Sequence, residues 1–206
     1  MKNPLRYQLS EYDCGPTSMQ NAISYLFERE EIPPEIVRNI MLYCLDCFGE
    51  DGRSGRRGTS CAAMMFLSNW LNSFGEAGHP PISSRYLSGK AVHFGQNSLL
   101  RDALNRRGAA VVRLDLEGWH YVLITGIKDH LVRLFDPYYL EAPFPAPAVQ
   151  IVTDCPDACN RLVPAERFEQ ETLKPYALGP EDGREAVLLF NERTKLTEEK
   201  TIEYMI

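Results

Sequence analysis

No uncharged apolar run in the chain approaches the roughly 18 residues that a membrane-spanning helix needs. The first residues, MKNPLRYQLSEYDC, lack the apolar stretch at the heart of a secretory signal. Basic charge is in the minority: 22 lysines and arginines against 28 aspartates and glutamates leave a net charge of −6. That balance disfavours nonspecific binding to nucleic acid or to an anionic membrane. No basic stripe with interleaved aromatics occurs, and no nucleic-acid-binding motif. Cysteine is sparse, with 6 in 206 residues, too few for a disulfide scaffold. Free thiols are expected, one of them a candidate nucleophile. No internal repeat is present. The absences together point to a soluble, cytoplasmic chain without nucleic-acid or membrane partners. Its length suits one domain over residues 1–206 with a core of its own, residues 192–206 forming a charged and loosely held tail.

What is present changes period along the chain. In residues 17–28 the apolar positions Met19, Ala22, Ile23, Leu26 and Phe27 form one face of an amphipathic helix, and Pro16 suits its first turn. A second helix is predicted from Pro33-Pro34, with Ile36, Val37, Ile40, Met41 and Cys44 inward. Residues 49–58, GEDGRSGRRG, read as a polar loop. A third helix follows, capped by Thr59 or Ser60, with Ala63, Leu67, Trp70, Leu71 and Phe74 inward and Gly75 as its stop. A fourth is predicted over residues 97–107, ended by Gly108. Then β-branched and aromatic segments take over at 109–116, 119–127 and 130–136, with further strands at 149–153 and 186–190. The prolines of 137–147 exclude an interior strand there. Helices first and strands later predict an α+β fold.

Cys14 lies in Asp13-Cys14-Gly15-Pro16, where the first helix begins. A thiolate is the nucleophilic form of cysteine, and a helix N-terminus favours negative charge. Taken alone, a cysteine at a helix start is more often a buried small hydrophobe. His120 lies in Trp119-His120-Tyr121-Val122, a segment where a hydrogen-bonded core histidine is the commoner outcome. The next strand ends at Asp136-Pro137. A hairpin turning at Lys128 sets residue 120 opposite 136, with His120, Val122, Ile124, Val132, Leu134 and Asp136 on one face. Trp119, Tyr121, Leu123, Thr125, Arg133 and Phe135 take the other. Opposed Cβ atoms sit roughly 5 Å apart, within reach of a carboxylate–imidazole contact. A two-residue loop would instead put His120 and Asp136 on opposite faces.

Gln8, six residues before Cys14, completes a pattern. Gln8, the Asp-Cys-Gly-Pro helix start, the His120-Tyr121-Val122-Leu123 strand and Asp136-Pro137 sixteen residues after the histidine resemble the bacteriocin-processing, double-glycine-leader peptidases. That family is papain-like. The resemblance spans roughly residues 5–140, and the stretch 30–115 does not align. It implies a papain-like fold, with helices packed on a C-terminal antiparallel sheet. It also implies Cys14 as nucleophile, His120 as base, Asp136 as its orienter, and Gln8 with the Cys14 N–H as oxyanion hole. Hydrolysis of a peptide or amide bond is the implied reaction, and no cofactor or metal is required. No transporter segments follow, so leader cleavage during export does not carry over. The same residues also suit an acyltransferase or transpeptidase, or an idle peptide-binding module on the same fold.

Other groups are weaker candidates. Cys44-x2-Cys47 and Cys155-x3-Cys159 together have the thiols for a zinc site, but the first pair falls in a predicted helix and the pairs are far apart, so separate free thiols are expected. Cys61 has no companion glutamine or base. His79, His93 and His130 have no partner in the pattern. The loop after Asp136 carries Tyr138, Tyr139 and Phe144, and a chain leaving that aspartate must pass the site, so Tyr138 and Tyr139 are expected to line the substrate cleft. Arg53, Arg56 and Arg57 read as part of a solvated loop.

Overall fold

The computed structural model describes residues 1–78, 80–140 and 148–197. His79, Phe144 and residues 198–206 of the proposed tail lie outside them. Helix α1 (Cys14–Leu26) begins earlier than its apolar stripe implies, because Cys14, Gly15 and Pro16 already form its first turn. Helix α2 (Pro34–Tyr43) buries Ile36 and Ile40, but Val37 and Met41 are exposed, and Cys44 is the extended C-cap residue rather than part of the helix. The predicted inner stripe was thus too wide: the second helix is covered along one narrow line only.

Helix α3 (Cys61–Glu76) is capped by Ser60, whose hydroxyl accepts from the Ala63 N–H. It runs through Gly75 instead of stopping there. A Cβ on Gly75 would lie 1.8 Å from the carbonyl oxygen of Ile82, so that glycine serves close backbone approach. The break comes at Gly78, whose φ of +88° continues no helix. Helix α4 (Leu99–Asn105) starts at an Ser98 cap, and α5 (Ala165–Phe168) is a single turn.

The strands are β1 (Ile82–Ser88), β2 (Ala109–Asp115), β3 (Trp119–Lys128), β4 (Leu131–Phe135), β5 (Gln150–Ile151), β6 (Arg161–Pro164) and β7 (Glu185–Asn191). They form one antiparallel sheet ordered β1-β7-β2-β3-β4-β6-β5. Strands β1 and β6 have no counterpart in the sequence reading. The mixture of helices and antiparallel sheet is the expected α+β class, although the last strand in sequence, β7, sits between β1 and β2.

Apolar side chains cover both faces. Met19, Ile23, Leu67 and Leu71 of α1 and α3 pack with Val111, Leu123 and Phe135. Leu100 and Ala103 of α4 and Phe168 of α5 pack with Val112, Val122, Ile124 and Leu134. Strands β2 and β7 are therefore buried along nearly their whole length. Residues 192–197 are also tied down: the Glu192 N–H donates to the Pro81 carbonyl, and the Leu196 N–H to that of Arg106.

The β3–β4 register differs from the predicted hairpin in a way that matters for the site. The turn is two residues, Asp129 and His130, both with positive φ, and Lys128 pairs with Leu131. By itself that loop would separate His120 and Asp136. A bulge between Ile124 and Gly126 adds one residue to β3 and restores the phase. Beyond it Ile124 pairs with Leu134 and Leu123 with Phe135. Asp136 therefore falls opposite Val122, diagonal to His120 rather than across from it. The predicted faces survive: Val122, Ile124, Val132 and Leu134 share one core and Tyr121, Leu123 and Phe135 the other. The bulge is held from outside the hairpin, since the Thr125 hydroxyl donates to the Ala158 carbonyl at 2.9 Å.

Candidate active site

Cys14 is buried at the first residue of α1. The loop before it is pinned by Asp13, whose carboxylate accepts from the Leu9 N–H (2.9 Å), the Ser10 N–H (2.6 Å) and the Thr17 hydroxyl (3.2 Å). Burial works against charge on Asp13, but the Ser10 hydroxyl and these backbone donors outweigh it and hold its pKa below the ordinary value. Gly15 admits Thr59, whose hydroxyl would lie 2.8 Å from a Cβ there.

His120, near the start of β3, is buried, and its Nε2 lies 2.7 Å from Asp136 Oδ1. The Cys14 side chain acts electrostatically on the same ring and favours its charged form. With Nε2 on the carboxylate, Nδ1 is the nitrogen left to face sulfur. Burial alone would lower the pKa of His120, but the charge and hydrogen bond of Asp136, followed by Cys14, raise it to about 10. The residues thus converge: the first turn of α1, the start of β3 and the end of β4 meet at one ring.

Asp136 is fully enclosed. Its Oδ1 accepts from His120 and from the Tyr138 N–H (2.8 Å), and its Oδ2 from the Tyr176 hydroxyl (2.7 Å). Its backbone is clamped by Asn160, which accepts from the Asp136 N–H and donates to its carbonyl, both at 2.8 Å. Burial favours the neutral acid, but His120, then Tyr176 and the Tyr138 N–H, hold the pKa below the ordinary value.

Gln8 is tied to the same region by its N–H, which donates to the Pro137 carbonyl at 2.9 Å. Its side-chain nitrogen donates to the Ser10 carbonyl (2.7 Å), and among the described residues neither its second amide proton nor its buried Oε1 has a partner. Tyr138 and Tyr139 are half exposed. Tyr139 stands edge-on to Tyr7 at 4.9 Å, and Tyr7 in turn packs on Phe135 at 5.3 Å. Through Tyr7, Tyr139 therefore meets the N-terminal segment that carries Gln8.

Asn160, Tyr176 and a second buried network were not read from the sequence. In that network Glu185 accepts from the hydroxyls of Tyr121 (2.6 Å) and Tyr86 (2.7 Å) and pairs with Arg113 Nε at 3.0 Å. The Arg113 guanidinium lies 4.6 Å over the ring of half-exposed Trp119, the neighbour of His120. A lone tyrosine or glutamate carries no local signal for such a role. The other cysteines are differently placed: burial pushes the Cys44 thiol up to about 12 and the Cys159 thiol to about 11, and Cys61 is exposed. Among the described residues no three His, Cys, Asp or Glu side chains gather as a metal cluster, and no helix is long and apolar enough to cross a membrane. A cleft of about 600 Å³ lined by Lys2, Tyr25, Arg133 and Arg193 shares no residue with the Cys14–His120 site.

No protein-family model matches this chain, and no curated protein matches it in sequence. Among solved structures it is similar to the crystal structure of the peptidase domain of Streptococcus mutans ComA. The identity is 15% and the TM-score 0.42, over 91% of this chain and 98% of that one.

Proposed function

We propose that this chain is a single-domain, papain-like cysteine peptidase or amidohydrolase. The observation that carries the reading is the buried His120 ring, whose Nε2 lies 2.7 Å from the Asp136 carboxylate, with the Cys14 side chain, at the start of α1, also acting on that ring. In this mechanism His120 holds a proton through neutral pH and pairs with a Cys14 thiolate. The sulfur attacks the carbonyl carbon of a peptide or amide. As the C–N bond breaks, the imidazolium gives its proton to the departing amine. Water then enters, His120 takes one of its protons, and the thioester is hydrolysed. Asp136 keeps the ring oriented and stabilises its cationic form.

The Cys14 N–H, in the first turn of α1, has no acceptor within the helix. Together with the uncommitted proton of the Gln8 amide it would hold the oxyanion, a contribution worth about 100-fold or more in rate per donor. No metal or other cofactor takes part in this scheme, and the partner it implies is a peptide or amide substrate.

Labelling with iodoacetamide followed by mass spectrometry tests the reading. The first adduct is expected on Cys14 at neutral pH, ahead of the more exposed Cys61. Labelling of Cys61 or Cys155 first, with Cys14 reached only on unfolding, would overturn it. For the cleft, Tyr138→Ala and Tyr139→Ala are expected to raise KM for a cleavable peptide severalfold with less effect on kcat. Wild-type kinetics in both variants would remove the proposed wall.

A further inference from the structure

We propose that Tyr176, backed by the buried guanidinium of Arg161, is a positioning residue that holds the Asp136 carboxylate against His120. This rests on the peptidase reading above and extends it to a part of the chain, residues 161–176, that the family resemblance does not reach. Tyr176 is fully buried, and its hydroxyl donates to Asp136 Oδ2 at 2.7 Å. The two carboxylate oxygens are thus held separately, Oδ1 by His120 and the Tyr138 N–H, Oδ2 by Tyr176.

The backbone of Tyr176 supports a dedicated role. Its φ is +67°, a region bulky residues rarely adopt. It is kept there by paired backbone bonds: the Tyr176 N–H donates to the Asp115 carbonyl (2.7 Å) and the Asp115 N–H to that of Ala177 (2.8 Å). Strain held at a buried polar contact is a recurrent mark of functional positions.

Arg161 stands behind the phenol. It is buried, its Nη1 donates to the Asn160 carbonyl at 2.9 Å, and its positive charge acts on the Tyr176 phenol. Among the described residues no carboxylate forms a salt bridge with it, and its Nε has no partner. A buried cation needs a counter-charge. Here the counter-charge is Asp136, reached through the Tyr176 hydroxyl, which Arg161 polarises toward donation. Among the described residues the charged and titratable groups about Asp136 are therefore His120 on β3, Cys14 on α1 through that ring, Tyr176, and Arg161 on β6.

The arrangement has a functional consequence. With three donors Asp136 is the weaker base of the pair, so the shared proton stays on His120 Nε2 and Nδ1 serves the sulfur. Without the phenol, Oδ2 is a buried acceptor with no donor. The carboxylate then takes up a proton more readily or turns away from His120, and either change weakens the imidazolium–thiolate pair.

The test is Tyr176→Phe, which keeps the ring and removes the donor. The rate of Cys14 alkylation by iodoacetamide against pH, located by mass spectrometry, needs no substrate. Its acid limb is expected to move up by about one pH unit, so that below the limb the rate falls about tenfold. Alkylation of Cys61 should not change. With a cleavable peptide, kcat should fall and KM stay within about twofold. Arg161→Met is expected to move the limb in the same direction, and it carries the test if Tyr176→Phe does not fold. A folded Tyr176→Phe or Arg161→Met protein with the wild-type limb and kcat would overturn the proposal. If Asp136→Asn slows Cys14 and Tyr176→Phe does not, this inference alone fails. If Asp136→Asn also leaves Cys14 unaffected, the peptidase reading fails with it.

Discussion

Replacing Cys14 by serine is expected to cut turnover of a peptide or amide substrate by roughly 1,000-fold or more, with little change in melting temperature. Serine fits the volume of the thiol at the start of α1. What it loses is the nucleophilic sulfur that the proposed mechanism requires. The other thiols do not substitute. Cys44 is pushed up to about 12 by burial, and Cys61 is exposed, with no hydrogen bond to a histidine among the described residues. Steady-state kinetics of Cys14→Ser and Cys61→Ser, each with a thermal melt, decide the matter. Activity within tenfold of wild type in Cys14→Ser, or its loss in Cys61→Ser, would show that the nucleophile lies elsewhere.

Asp136→Asn should damage both chemistry and folding. The carboxylate faces donors only: the His120 ring, the Tyr138 N–H and the Tyr176 hydroxyl. An asparagine there either turns its NH2 toward one of them or leaves one without an acceptor. Breaking such a buried pair costs about 3–5 kcal/mol of stability. Turnover is expected to fall by roughly 1,000-fold or more, since the imidazole loses its orientation and tautomer.

The pH dependence carries the sharper sign. The pKa of His120 is raised from 6.5 to about 10 in the folded chain, burial opposing the rise and Asp136 as the chief cause of it. Its contribution to stability is therefore complete below about 6.5 and is lost as pH rises through about 10. Asp136 is lowered from 3.8, so its contribution is present above that value and fades as pH falls through the lower folded one. Wild type minus variant melting temperature should be largest between these limits and shrink toward alkaline pH. A difference that is flat from pH 6 to pH 11 would mean that His120 and Asp136 are not coupled as described.

Much of this site was legible in residue order because alternation is a local property. A strand turns every second side chain to one face, so Val122, Ile124, Val132 and Leu134 could be assigned together, and with them His120 and Asp136. The helix start near Cys14 was equally local, since Pro16 suits a first turn, where its missing N–H costs nothing. The hairpin register was not. Asp129-His130 lacks the glycine that marks a two-residue turn, and the bulge that corrects its phase is held by Ala158, outside the hairpin. Gly75 looked like a helix stop because the approach of Ile82 to it exists only once β1 pairs with β7, and Ile82 lies opposite Asn191 across more than a hundred residues. Asn160, Arg161 and Tyr176 reach Asp136 for a similar reason. No spacing rule links a carboxylate to a tyrosine 40 residues on. Asn160 enters β6, which pairs with β4, while Tyr176 is held through backbone bonds to Asp115 at the end of β2. Local chemistry in the sequence determined which side chains could act and which face each would take. Long-range strand pairing in the tertiary structure decided which buried groups surround them, because a buried carboxylate is stabilised by whatever donors the sheet brings to it.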